Sequence, residues 1–363
     1  MNWLLIFLGF CLLIVLHEAG HFFAAKATGM RVEKFFLFFG PKVWSVKRGE
    51  TEYGVAAIPL GGFVKITGMN PEEEFPPELA GRAYYQQPVW KRIVVIAAGP
   101  VVNIVLAFAI IFCVFLANGK TDVTQTVGEI RPGSPAAQAL HPGDRILAVD
   151  GSSYPGLSAQ ARLERFREDV AAHKCEAEPI DGCISSTPVA LRVRRDGTTR
   201  TILVKPEYSA AEKRTLIGFS YGLHNVDVSA GAAASEAGSA IWEVASATFD
   251  VFTRLFEKEK REQVSGIVGV SDVANQTLDE STEQSLILLA LVSLSLGLVN
   301  LLPILPLDGG HIFWSLVEKL RGRPVSLRVM EKASVIGFAL VLMLFVLGLS
   351  NDIGHFGDDI RSR

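Results

Sequence analysis

An unbroken apolar stretch over residues 3–25 contains the sequence His17-Glu-Ala-Gly-His21. A stretch of this length predicts a membrane-crossing helix, because a helix satisfies its own backbone hydrogen bonds in hydrocarbon. Histidines four residues apart share one helix face, so both imidazoles can bind one metal ion, and Glu18 can reach a water molecule beside it. Ionisable groups are costly at membrane depth. The segment therefore predicts a metal-dependent hydrolase with its site inside the membrane.

Two simpler explanations of this segment compete with a metal site. The H-E-x-x-H pattern arises by chance in roughly one chain of this size in a hundred. The segment also has features of a secretory signal peptide, since Ala25-Lys26-Ala27 fits a small-x-small cleavage site. Signal peptides carry positive charge ahead of the apolar region, and no Lys or Arg precedes the run here. This difference favours a retained membrane helix.

Composition predicts a polytopic α-helical membrane protein with about four transmembrane helices. Of the 363 residues, 49% are hydrophobic and only 20% are charged, and the mean hydropathy is +0.31. The segments long and apolar enough to cross a bilayer are residues 3–25, 93–117, 285–304 and 333–349. The loops after the first and third spans are rich in Lys and Arg, which predicts that both are cytoplasmic. Both termini and the long central region then lie outside the cytoplasm.

A catalytic zinc ion takes three protein ligands, so the two histidines need a partner. Asp308 is the best candidate, because it closes the sequence Asn300-Leu-Leu-Pro-Ile-Leu-Pro-Leu-Asp308-Gly-Gly-His311 at the end of the third span. The first and third spans both run inward, so His17, His21 and Asp308 are predicted to reach the same depth. The alternative is that Asp308 only caps the following helix.

Three neighbouring residues receive predicted roles around this zinc site. Glu18 is predicted to be the general base toward water and later the proton donor to the leaving amine. Asn300 offers an amide for the substrate backbone or the developing oxyanion, and a hydrogen bond between helices is an equally good explanation. His311 is interpreted as a supporting or capping residue, because Asp308 already completes the ligand set.

A β-hairpin is predicted in the first cytoplasmic loop. Residues 43–46 and 51–55 flank Lys47-Arg-Gly-Glu50 in a strand-turn-strand pattern, and β-rich sequence continues to Ile66. An exposed strand edge near the site would accept an extended substrate by strand addition. The alternative is an ordinary cytoplasmic hairpin without substrate contact.

The central region predicts an α+β domain followed by an amphipathic helix. A helix ending near Ala172 and strands over residues 189–194 and 201–205 give the domain its pattern. Cys175 and Cys183 are predicted to form a disulfide in an oxidising compartment, and two free thiols are the alternative. Residues 241–256 form an apolar helix face, predicted to lie on the outer membrane face or against the spans. A fifth span is disfavoured by the charged residues in this helix.

These features divide the chain into four predicted regions. Residues 1–117 hold the first two spans, the zinc motif and the hairpin. Residues 122–208 form the α+β domain, and residues 209–284 hold the amphipathic helix and a linker. Residues 285–363 hold the last two spans, the third ligand and a C-terminal tail.

The chain resembles the site-2 protease family of intramembrane zinc metalloproteases, in particular its bacterial RseP-like members. The resemblance rests on the segment from His17 to His21, on Gly99-Pro-Val-Val-Asn103 and on the segment from Asn300 to His311. Residues 43–68, including Gly-Gly-Phe-Val at 61–64, are similar to the family's membrane-associated β-hairpin region. Residues 122–208 are similar to a single PDZ domain in the permuted order found in such proteases. The sequence over residues 49–54 and 68–71 resembles the actinobacterial branch.

The resemblance implies a multi-pass protease of the bacterial inner (plasma) membrane, with its termini and PDZ-like domain extracytoplasmic. It implies a Zn²⁺ cofactor and single-span membrane protein substrates, such as anti-sigma factors or signal-peptide remnants, cut in regulated intramembrane proteolysis. The PDZ-like domain is expected either to contact a peptide or to act as a size filter, and no nucleic-acid partner is expected.

Two other functions compete with this one. A catalytically idle PDZ-containing membrane adaptor is disfavoured because His17, Glu18, His21 and Asp308 are all present. A metal-binding transporter is disfavoured because the spans lack further ionisable residues that would define an ion path.

Overall fold

A computed structural model describes residues 2–70, 72–176, 180–253 and 282–361 of the protein. The chain forms two compact units. The helical unit combines Met1–Ala117 with Ala230–Arg363, and the second unit is Asn118–Ser229. The first unit carries the predicted metal ligands.

Six α-helices of the described residues belong to the helical unit: α1 (Asn2–Ala27), α2 (Val89–Asn118), α4 (Ala230–Thr253), α5 (Thr282–Asn300), α6 (Asp308–Arg321) and α7 (Leu327–Arg361). Within the described part of the chain, the helices long and apolar enough to cross a membrane are Leu4–Ala27, Val89–Asn118 and Thr282–Asn300. These match three of the four predicted spans. The fourth, residues 333–349, lies within α7 and stays a prediction.

Small residues bring the apolar helices into close contact. A methyl group on Gly20 of α1 would stand 2.5 Å from the carbonyl oxygen of Ala98 in α2, and one on Gly297 of α5 would stand 2.9 Å from that of Pro100. The Ser293 hydroxyl of α5 also donates a 2.9 Å hydrogen bond to the backbone oxygen of α2 residue 103. Helices in membranes associate through such close packing, because lipid is as apolar as their side chains.

Helix α4 corresponds to the predicted amphipathic helix but begins earlier, at Ala230 instead of residue 241. Its residues Ala237, Ala240, Ile241 and Val244 pack with apolar residues of α2 and α5. Of the two predicted placements, the helix therefore leans on the spans. Its predicted end at residue 256 lies outside the described residues.

The predicted hairpin is present, and its strands are longer than expected; its cytoplasmic location stays a prediction. Strands β1 (Val32–Arg48) and β2 (Thr51–Ile66) flank a turn in which Gly49 has a φ of +61°, a conformation that glycine adopts without a steric penalty. Residues 34–37 of β1 pair on both sides, with residues 62–65 and with residues 52–55. The two bent strands thus form a sheet in which residues 62–66 lie at one edge.

Glu50 fixes the hairpin turn to the surrounding chain. Its carboxylate accepts hydrogen bonds from Arg82 at 2.8 Å and from Lys26, near the end of α1, at 2.7 Å. The hydrogen bond from Arg82, which is the larger cause, and the one from Lys26 lower the pKa of the Glu50 carboxyl to about 2. The ion pairs connect the hairpin turn to the end of α1 and to a short 3-10 helix at Pro77–Arg82.

The second unit is a five-stranded antiparallel sheet in the order β6-β5-β4-β3-β9, with one helix packed against it. Its elements are β3 (Lys120–Ile130), β4 (Arg145–Val149), α3 (Ala159–Ala171), β5 (Val189–Arg195), β6 (Thr198–Val204), β7 (Glu207–Ser209), β8 (Arg214–Leu216) and β9 (Phe219–Val226). The predicted α3, β5 and β6 are present. The unit extends past the predicted boundary at residue 208 because β9 pairs with β3, which carries the unit to Ser229.

The predicted bond between Cys175 and Cys183 is present in this unit, eight residues apart in sequence. Cys11 and Cys113, which lie in α1 and α2, are free thiols. The disulfide closes a short loop between α3 and β5.

Candidate metal centre

Helix α1 places both histidines of the motif on one buried face. His17 and His21 are each 7% exposed, and their Nε2 atoms lie 3.3 Å apart. One helical turn separates them, so the spacing in sequence fixes this geometry locally.

Asp308 reaches the histidine pair from the start of α6. The turn between α5 and α6 is so tight that a methyl group on Gly309 would stand 2.2 Å from the Leu301 carbonyl oxygen. The N-cap residue of α6 is Leu307, and Asp308 is the first residue of the helix itself. Its Oδ2 atom lies 3.2 Å from His17 Nε2 and 3.3 Å from His21 Nε2.

The three atoms form a nearly equilateral triangle with edges of 3.2, 3.3 and 3.3 Å. A tetrahedral zinc ion with bonds of about 2.0–2.1 Å sets neighbouring ligand atoms about 3.3–3.4 Å apart. Asp308 Oδ2 is buried and has no hydrogen-bond donor among the described residues. Two imidazole nitrogens and one carboxylate oxygen are a donor set that zinc uses in catalytic sites. The residues therefore fit a zinc ion.

Helix α2 holds His21 in the orientation that this triangle requires. His21 Nδ1 lies 2.9 Å from the carbonyl oxygen of Val95. A carbonyl only accepts, so Nδ1 carries the proton and Nε2 presents its lone pair toward His17 and Asp308. The ring also lies against Gly99, where a methyl group would stand 2.3 Å from Nε2.

A cavity of about 460 Å³ opens beside the three ligands. Glu18 and Asn300 line it, as does His311. A methyl group on Gly62 of β2 would stand 2.9 Å from Glu18 Cγ, so the hairpin backbone closely approaches this carboxylate. Asn300 donates from Nδ2 to the carbonyl oxygen of Leu296 at 3.0 Å, one turn earlier in α5. The amide thus bonds within its own helix, and its second N–H is geometrically a separate donor.

Comparisons with known proteins identify the family of this chain. The profile of peptidase family M50 matches residues 5–344. The chain belongs to peptidase family M50. This family is the site-2 protease family, and the chain is a zinc metalloendopeptidase of that type.

Several relatives align with this M50 peptidase over nearly their whole length. A Rhizobium meliloti (strain 1021) protein with a provisional zinc-metalloprotease name is 31% identical over 367 residues, covering 94% of this chain and 93% of its own. Zinc metalloprotease Rip1 of Mycobacterium tuberculosis (strain Erdman) is 30% identical over 381 residues, covering 91% and 88%. The regulator of sigma E protease of Salmonella typhi is 28% identical over 435 residues, covering 94% and 96%.

The sequence of this M50 peptidase predicted the candidate zinc-binding residues. It did not predict the backbone contacts that hold His21 in place. The Gly99-Pro100 pair stood out only through the family resemblance. A glycine followed by proline inside an apolar helix signals a close approach, but it does not reveal which side chain approaches. Val95 contributes only its backbone oxygen, which any residue would supply. Gly62 lies in a predicted strand, and nothing in the sequence around it indicated a contact with the Glu18 side chain.

Proposed function

We propose that this M50 peptidase hydrolyses single-span membrane proteins at a zinc ion held by His17, His21 and Asp308, with Glu18 transferring protons. The observation that carries this proposal is the triangle of three ligand atoms, 3.2–3.3 Å on each edge, beside a cavity between apolar helices. An adaptor without catalytic activity would have no use for this geometry.

Bound zinc polarises a carbonyl group and makes water nucleophilic near neutral pH. Glu18 follows His17 on α1 and lines the same cavity, so its carboxylate is available to accept a proton from the attacking water. The protonated Glu18 then donates to the nitrogen of the leaving amine. This transfer returns Glu18 to its starting state and leaves one new carboxyl terminus and one new amino terminus.

The edge of the hairpin sheet gives the substrate a place to extend. Gly61, Gly62 and Val64 line the cavity, and within the described residues 62–66 pair with β1 on one side only. An extended peptide adds to such an edge through backbone hydrogen bonds. A transmembrane helix of a substrate must unwind before its peptide bonds become accessible, and strand addition stabilises the unwound segment.

Asn300 is proposed to bind the substrate carbonyl or the developing oxyanion. One hydrogen of its Nδ2 is directed at the Leu296 carbonyl, which holds the amide in place. The second hydrogen remains for a substrate oxygen in the cavity that Asn300 lines.

Unit Asn118–Ser229 is proposed to be a PDZ-like domain that contacts an extended peptide. A groove of about 1070 Å³ runs beside β9 and is lined by Phe166 and Val170 of α3 and by Phe219 and Tyr221 of β9. Among the described residues, strand β9 is the last strand of its sheet, so its outer edge beside the groove is suited to strand addition. The Cys175–Cys183 disulfide supports an extracytoplasmic location, because disulfides persist in oxidising compartments.

The proposed setting is the bacterial inner membrane, and the proposed role is regulated intramembrane proteolysis. The motif resemblance to RseP-like proteases and the name of the Salmonella typhi relative favour anti-sigma factors as substrates. Signal-peptide remnants are the second substrate class.

The test is cleavage of candidate single-span substrates by the full-length protein in proteoliposomes, with bound zinc measured on the same samples. Glu18→Gln should abolish cleavage and keep zinc, because the amide cannot accept a proton. His17→Ala, His21→Ala and Asp308→Ala should lose both. Glu164→Gln, on the exposed side of α3, is the control and should change neither. Full turnover by Glu18→Gln would refute its role, and zinc retention by all three ligand variants would refute the site.

A further inference from the structure

Arg92 and Glu318 form an ion pair between α2 and α6. Arg92 donates from Nη2 to Glu318 Oε1 at 2.6 Å and from Nη1 to Oε2 at 3.0 Å. The side chains are only 3% and 20% exposed, and the Arg92 guanidinium lies 5.4 Å from the centre of the Tyr85 ring. Two parallel hydrogen bonds from a guanidinium fix orientation as well as distance, which a single contact does not.

On α2, Arg92 lies on the same face as the backbone that orients His21. Arg92, Val95 and Gly99 follow at spacings of three and four residues and are all buried. The Val95 carbonyl binds His21 Nδ1, and Gly99 contacts the His21 ring. A helix that is bound to Arg92 is therefore held in a fixed position relative to His21.

On α6, Glu318 lies ten residues after Asp308, which is about 15 Å along a helix that rises 1.5 Å per residue. The helix is continuous from Asp308 to Arg321, so its orientation determines where the Asp308 carboxylate points. The segment before it is not helical and contains Pro303 and Pro306. That segment gives α6 no continuous helical connection to α5, so contacts further along α6 contribute to setting its direction.

We propose that Arg92 and Glu318 are positioning residues for the zinc site. Their ion pair fixes α6 against α2, so that Asp308 Oδ2 lies 3.2–3.3 Å from the Nε2 atoms of the two histidines and all three atoms can bind one zinc ion. A burial this deep is costly for an isolated charge, so the pair enforces one register between the two helices. The ring of Tyr85 restricts the guanidinium further. This inference rests on the proposed zinc ligands.

The test is zinc affinity of the full-length protein in detergent, measured by competition with a chelator, alongside thermal unfolding of the zinc-free protein. Arg92→Met and Glu318→Gln should raise the zinc dissociation constant about 10-fold or more, as loss of supporting contacts does at other metal sites. Arg92→Lys keeps the charge and loses the two-point contact, so its zinc dissociation constant should lie between those of the original protein and Arg92→Met. The exchange Arg92→Glu with Glu318→Arg should restore affinity to within about threefold of the original.

The matched control is Arg195→Met, which removes another two-point pair, from Arg195 to the buried carboxylate of Asp144, in the second compact unit. It should lower thermal stability without changing zinc affinity. Zinc affinity that is unchanged in Arg92→Lys and Glu318→Gln while the original protein binds zinc overturns the inference. An equal loss in Arg195→Met overturns it too, because the effect would then be general destabilisation. Failure of the original protein to bind zinc refutes the proposed function instead.

Discussion

His21 lies directly against the backbone of Gly99, with Nε2 only 2.3 Å from the place where a side-chain methyl at residue 99 would stand. The contact crosses between α1 and α2 at the proposed zinc site. Residue 99 must lack a side chain because the imidazole occupies that volume. The α2 backbone therefore supports His21 from two directions, by this contact and by the Val95 hydrogen bond.

Gly99→Ala is predicted to displace the His21 ring and to weaken zinc binding by about 10- to 100-fold, the range seen when supporting contacts of metal ligands are lost. Bound zinc after chelator dialysis measures the effect. The control is Gly238→Ala in α4, where no described residue lies within 4 Å of the added methyl, and this variant should keep zinc fully. Retention of zinc by Gly99→Ala would contradict the role of this contact.

Asn300→Ala is predicted to lower kcat by about 10²- to 10³-fold, as removal of one oxyanion donor does, with zinc content unchanged. Asn300→Ser provides the sharper test. A serine hydroxyl can still donate to the Leu296 carbonyl one turn back, but it has no second N–H for the substrate. Both variants should therefore lose activity equally. Full activity in the serine variant would show that Asn300 serves only its own helix.

The Cys175–Cys183 disulfide is predicted to protect both thiols from alkylation in the unreduced, unfolded protein, while Cys11 and Cys113 react. Those two cysteines are the internal control for complete labelling. Replacing the pair by serines should destabilise the second unit by about 2–3 kcal/mol, the entropic value for a loop of this size. Labelling of all four cysteines without reductant would contradict the bond.

The second unit is predicted to lose stability in acid because of the ion pair of Asp144. Hydrogen bonds from Arg195, and secondarily from the backbone of His141, lower the pKa of this carboxyl below its ordinary value. A carboxylate with a lowered folded-state pKa contributes its stability above the unfolded pKa, about 3.9. That contribution is lost as the pH falls from there through the folded pKa.

Hydrogen exchange of β4 and β5 amides in the full-length protein measures this effect between pH 3 and 7. Asp144→Asn should lower protection at pH 7 and remove most of the difference between pH 7 and pH 3. Glu168, paired at the exposed surface with Arg165, supplies the control substitution Glu168→Gln, which should change neither value. A pH profile that survives in Asp144→Asn would assign the acid sensitivity to other groups.

Features with local causes were predictable from the order of the residues. The spacing of His17 and His21 places them on one face of any helix, so their geometry was predictable. The hairpin turn at Gly49, helix α3 and strands β5 and β6 follow from turn residues and from short-range periodicity. Long apolar stretches predicted three helices that the described structure contains. The zinc-ligand candidates were also named from the sequence, since span direction implied that Asp308 would reach the histidines.

The contacts that support the candidate zinc ligands, in contrast, arise from tertiary packing. The contact of Gly99 with His21, the approach of Gly62 to Glu18 and the pairing of Arg92 with Glu318 join residues far apart in sequence. The pairing of β9 with β3 and the packing of α4 on α2 also join segments far apart in sequence. Each depends on which surfaces meet after the chain folds. A backbone carbonyl or a missing side chain leaves no pattern of its own, so residue type and spacing cannot reveal these contacts.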